Sequence, residues 1–198
     1  MGFRVLLILA AALLQATLLF GAVRENVKLR VVAAPHGTEA EKEKRVRAEA
    51  VVDRINTSEQ LKVIALQLLE QLKGSYPNCR SYTIVLSNDA RMMAIGRYLA
   101  VATSEGGKTV VTGGIPTNMD IRAMKASRVE VRMPDSLGMQ VAYDVALLKK
   151  ESVKRGQPLT DDTAYALVAK KRKLQAAYVR QIDQGITQYY KAFAGKPF

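Results

Sequence analysis

Lys170, Lys171, Arg172 and Lys173 stand in a row inside YALVAKKRKLQAAYVRQIDQ, where Ala169, Leu174, Val179 and Ile182 occupy the fifth, tenth, fifteenth and eighteenth places. Four adjacent cations suit phosphate or carboxylate groups. The apolar spacing is the one by which a helix-turn-helix packs its two helices. Lys173 falls where such a turn usually carries glycine, and any two packed helices produce the same spacing. Lys149, Lys150, Lys154 and Arg155 add a second basic group upstream. These eight residues are the candidate anion-binding set.

A second, polar set is Asn88, Asp89, Arg91 and Arg97, whose side chains could serve a small hydrolase or transferase built on sheet loops. Cys79 and His36, the lone cysteine and histidine, could pair as nucleophile and base. No strand-to-helix elbow surrounds Cys79, and His36 lies in a Pro-His-Gly turn, so no catalytic residue is assigned. Three or four His or Cys ligands, as zinc requires, do not exist in this chain. Asn88-Asp89 with Asp120 or Glu130 lacks calcium-loop spacing. No metal and no cofactor is expected. Gly107-Lys108-Thr109 resembles the end of a phosphate loop, but Ala102 replaces the first glycine and strand-like residues follow, so a hairpin turn is expected. Asp161 and Asp162 are adjacent, point about 100° apart on a helix, and read as capping charges.

The net charge of +12 is unevenly spread. From 146 to 198 there are 11 basic and 4 acidic residues, whereas 81–145 holds 7 against 6. Such a field draws an anionic polymer, anionic lipid or acidic protein.

Residues 5–20, VLLILAAALLQATLLF, follow Arg4 and precede Gly21-Ala22, the order of a signal peptide with a small-residue cleavage region. Extended through Val23, the run approaches the roughly 20 residues that span a bilayer, so an uncleaved anchor over 5–23 is the alternative. Export sets chromosomal DNA aside as a partner. An exported chain with one cysteine closes no internal disulfide, so packing must stabilise it.

The elements follow from periodicity. Residues 27–33 read as a strand and Glu39–Ile55 as a charged helix capped by Thr38 with Glu41. Thr57 with Gln60 caps the next helix, where Leu61, Ile64, Ala65, Leu68, Leu69 and Leu72 share one face and Gly74 is the stop. Strands are expected over 81–86, 96–104 and 108–112, then a short helix at 118–126 and a strand at 128–133. Helices follow over 135–155, 161–173 and 176–194, with Ile182, Ile186, Tyr189 and Phe193 on one face.

The expected architecture is α+β: a long amphipathic helix on a small antiparallel sheet of about three strands, then a basic helical region. The expected divisions are a signal at 1–22, a strand and charged helix at 24–58, an α+β core at 59–133, and helices at 134–198 packed on it. The expected protein is exported, periplasmic or secreted, and binds or scaffolds without catalysis. The alternatives are the small hydrolase or transferase, and a helix-turn-helix DNA binder if the leader is no signal.

Overall fold

Leu61, Ile64, Ala65, Leu68, Leu69 and Leu72 recur at helical spacing, and all six are buried on one side of α1 (Ser58–Ser75). The computed structural model describes residues 28–33, 45–52, 57–127 and 134–192. Thr57 and Gln60 close the expected capping box, with Gln60 N–H to Thr57 Oγ1 at 3.1 Å and Thr57 N–H to Gln60 Oε1 at 3.1 Å. The helix runs one residue past Gly74, and its cap is Tyr76, whose N–H reaches Leu72 O at 3.0 Å. The anticipated glycine stop is therefore displaced.

The fold is α+β, but its sheet has five strands rather than about three, and it is mixed rather than antiparallel. The strands are β1 (Lys28–Ala33), β2 (Arg45–Val51), β3 (Ser81–Ser87), β4 (Ala100–Glu105) and β5 (Lys108–Gly113), side by side in that order. β2 and β3 run parallel, with α1 as the crossover that a parallel pair requires. The other three pairs are antiparallel.

The added strand corrects the charged helix expected over 39–55. In RVRAEAV the alternation Val46, Ala48, Ala50 buries one side while Arg45, Arg47 and Glu49 take the other. Ala, Glu and Arg favour helices in isolation, but pairing along β3 and burial of the Val46, Ala48 and Ala50 side decide the conformation. The Thr38–Glu41 cap, the 128–133 strand and the leader lie outside the described residues.

Small residues flank large ones across the buried face. Ala48 and Ala102 sit either side of Ile84, and Ala50 and Ala100 either side of Leu86. Helix α1 packs against β3, β4 and β5, and its leucines belong with the sheet to one buried cluster. On the opposite face Arg30 pairs with Glu49 at 2.9 Å, and Arg47 reaches Tyr98 Oη at 3.2 Å.

The β4–β5 hairpin turns through Gly106 and Gly107, both at positive φ, as a two-residue connection demands. At its far end Gly113 has φ +124°, and an added Cβ would lie 2.1 Å from Leu99 O.

Helices α2 (Ala90–Ala94) and α3 (Asn118–Ala126) are short. Helices α4 (Ser136–Lys154), α5 (Asp161–Arg172) and α6 (Ala176–Lys191) pack on one another. Val141, Ala142 and Val145 meet Ala164, Val168, Val179, Ile182 and Ile186 in the same cluster that holds the sheet. The α5–α6 turn has the expected spacing, and Lys173 adopts the left-handed conformation at φ 55°.

Replacing Gly113 by Ala is expected to destabilise the fold by more than about 2 kcal/mol, since it adds a backbone clash to an unfavourable φ. Gly74→Ala, in an open helical position, should be neutral or stabilising by up to about 1 kcal/mol. Urea melts of both variants give the comparison.

Candidate functional site

The polar residues at the end of β3 prove to be fasteners. Ser87 Oγ donates to Arg97 O at 3.0 Å. Asn88 Oδ1 accepts from Tyr190 Oη at 2.5 Å. Asp89 is the N-cap of α2, accepting from Arg91 N at 2.8 Å and Met92 N at 3.3 Å. Arg91 folds back on Asp89 at 2.7 Å and reaches Gln140 Oε1 on α4 at 3.1 Å. Burial alone would raise the Asp89 carboxyl, but the side-chain bond, the backbone N–H and the charge of Arg91 outweigh it and hold its pKa below the usual carboxylate value. Of the set Asn88, Asp89, Arg91 and Arg97, three are thus committed to joining elements.

Arg97 differs. The chain leaves α2 through Gly96, at φ +75°, so that Arg97 N–H returns to Met92 O at 2.9 Å. Its guanidinium is then carried toward α6. The side chain is 19% exposed, and its ion pair with Asp183 is long at 3.5 Å. Its Nε is buried without a partner among the described residues. An unmet buried donor costs about 1–3 kcal/mol.

Two adjoining cavities meet at Arg97, Thr187 and Lys191. One, of about 420 Å³, is walled by the 95–101 segment, Thr112, Gly113 and Tyr190. The other, of about 780 Å³, is polar and lies against Lys149, Asp161, Tyr165, Arg180, Asp183 and the glutamines of α6. Both volumes fall in the range of small-molecule sites, about 300–1,000 Å³.

Along the polar wall Tyr165 Oη donates to Asp183 Oδ2 at 3.3 Å, and the Arg180 guanidinium lies 5.8 Å from the Tyr165 ring centre. Burial raises the Asp183 carboxyl above its ordinary value, only partly offset by the Arg97 charge and the Tyr165 hydroxyl. Burial, then the charges of Asp183 and Asp161, push the Tyr165 phenol up to about 12. Tyr190 is raised as well, first by burial. Tyr165, Asp183 and Arg97 make only long contacts with one another, whereas Tyr190 is held closely by Asn88. Nothing in the sequence distinguished Tyr165, Asp183, Thr187, Tyr190 or Lys191, because the contacts span the whole α+β chain.

The eight basic candidates do not form one face. Lys149 pairs with Asp161, and Arg155 with Glu151 at 3.2 Å. Lys171 and Arg172 hold Asp144, which is 4% exposed on α4, at 3.2 and 2.6 Å. Lys150, Lys154, Lys170 and Lys173 are exposed and have no ion-pair partner among the described residues. The two groups sit at opposite ends of α5, whose 12 residues cover roughly 18 Å.

Among the other candidates, Asp161 and Asp162 lie in the first turn of α5, but the cap itself is Thr160 Oγ1, which accepts from Thr163 N at 3.3 Å. Gly107 completes the hairpin turn, and Lys108 and Thr109 open β5, paired with Glu105 and Ser104. Asp120 belongs to a capping box with Thr117, and no group of three or more potential metal-ligating side chains converges among the described residues. Cys79 is half-buried, while His36, Glu130 and Phe193 lie outside the described residues. No family model, curated protein or solved structure matches this chain.

Asp144→Ala removes two charge-assisted bonds between α4 and α5 and should cost about 2–3 kcal/mol in a urea melt, whereas Asp162→Ala, at an exposed pair, should change stability by less than about 0.5 kcal/mol. A raised Asp183 pKa means the folded state holds that proton more tightly than the unfolded chain. Its stabilising effect is complete below about pH 4 and lost as pH rises through the raised value. Wild type should therefore lose stability relative to Asp183→Asn across that rise, as melts at stepped pH will read.

Proposed function

We propose that the protein is exported by its leader, residues 1–22, and binds an anionic partner without turning it over. The carrying observation is a local failure of charge balance. In the C-terminal helices, Asp144, Glu151, Asp161, Asp162 and Asp183 are each taken by a cation. Lys150, Lys154, Lys170 and Lys173 are left over, exposed, at the two ends of α5. Uncompensated lysines near a negatively charged lipid surface contribute about 1 kcal/mol each. A surface or polymer of repeating negative charge bridges the separation between the two groups.

Binding is favoured over the hydrolase or transferase because Asn88, Asp89 and Arg91 are bonded into the joint. It is favoured over DNA reading because the α6 face that would enter a groove, Ala177, Arg180, Gln181 and Gln184, lines a concavity instead. Arg180 is further engaged by Asp162. Among the described residues no helix is long and apolar enough to cross a membrane.

The combined variant Lys150→Gln, Lys154→Gln, Lys170→Gln, Lys173→Asn spares the cations that hold Asp144, and asparagine tolerates the left-handed turn. On vesicles containing phosphatidylglycerol it should bind at least about tenfold more weakly than wild type, with a flatter salt dependence. Equal binding at every salt concentration would overturn the assignment. Cell fractionation with mass measurement of the mature amino terminus tests export, and the uncut chain in the soluble cytosolic fraction would refute it.

A further inference from the structure

We infer that the cleft between the 95–101 segment and α6 binds a small organic anion with an apolar body, an aryl phosphate or aryl carboxylate in chemical class, its acid group held by Arg97 and Lys191. The site is separate from the exposed lysines invoked above.

Three observations converge on that chemistry. The smaller cavity is faced by Ile95, Leu99, Val101 and two tyrosines, Tyr98 and Tyr190, a lining that takes a flat apolar ring. Among the described residues its only ionisable groups besides the tyrosines are Arg97 and Lys191, and no carboxylate of theirs lines it. Charge complementarity therefore calls for an anion. Asp183 and Asp161 border the polar cavity alone.

The state of Arg97 supplies the second argument. A guanidinium carries five donors in a fork that matches a carboxylate or phosphate edge. Here one donor makes a 3.5 Å contact with Asp183, and Nε makes none among the described residues. With Nε enclosed, a two-oxygen acid group would meet the Nη edge of that fork, whose two nitrogens match its spacing. The long Arg97–Asp183 contact is weak enough to yield to it.

Third, the walls are rigid where the ligand would sit. Leu99 N–H bonds Leu86 O at 2.8 Å, Gly114 N–H bonds Leu99 O at 2.9 Å, and Ser87 holds Arg97 O. Tyr190 is fixed by Asn88. A site whose groups are already placed loses little on binding. Lys191, an exposed residue of the cavity lining, adds charge and has no ion-pair partner among the described residues.

The test is calorimetric titration of the full protein with phenyl phosphate, inorganic phosphate and benzyl alcohol. Phenyl phosphate should saturate at one per chain, with the other two at least about tenfold weaker, since each lacks half of the recognition. Arg97→Gln should weaken phenyl phosphate at least about tenfold, and Lys191→Gln several-fold with an unchanged thermal midpoint. The combined lysine variant described above should bind phenyl phosphate as wild type does. Inorganic phosphate or benzyl alcohol binding as tightly as phenyl phosphate would overturn the inference. So would the absence of saturation, wild-type affinity in both Arg97→Gln and Lys191→Gln, or loss of binding in the combined variant. Should Arg97→Gln fail to fold, Lys191→Gln decides alone: wild-type affinity there rejects the site.

Discussion

Three consecutive residues at the carboxyl end of β3 tie the sheet to the 97 region, α2, α4 and α6. Ser87 takes the backbone of the 97 region, Asn88 takes α6 through Tyr190, and Asp89 starts α2 and orients Arg91 toward α4. Each bond adds only about 1 kcal/mol by itself. Their weight comes from position, because Ser87 is fully buried and an unmet group there would have no water to turn to. Were the joint to loosen, the cleft wall and the three C-terminal helices would lose their common reference.

That joint commits residues rich in chemical potential to holding elements together. A serine, an asparagine, an aspartate and an arginine beside a strand end are the ordinary parts of an active site, yet here their donors and acceptors are consumed pairwise. Arg97, one turn further on, escapes this because the left-handed Gly96 swings it away from the joint. The contrast between bonded and unbonded polar groups, rather than their identity, separates scaffold from site.

Local periodicity made α1 legible, since six leucine, isoleucine and alanine positions on one stripe admit no other reading. The α5–α6 hairpin was legible for the same reason, including its turn at Lys173. β2 was not, because a strand made of arginine, alanine and glutamate is specified by its neighbours rather than by its own propensities. The short helix α2 was missed as well, since its five residues are too few for periodicity. At the cleft, Arg97 stood out by type, and the structure carries it away from Asn88, Asp89 and Arg91 toward α6. Its actual neighbours, Tyr190 and Asp183, come from a helix whose approach no local pattern encodes. The row of lysines and arginines was visible as charge, whereas the buried Asp144 that neutralises two of them was not.

The bond between Asn88 and Tyr190 closes across 102 residues, and that between Arg97 and Asp183 across 86. Helix α1 and the β4–β5 hairpin can form early from nearby segments, but β3 meets these partners only after α6 has been synthesised. Such long-range closures leave the architecture complete only once its last helix is in place.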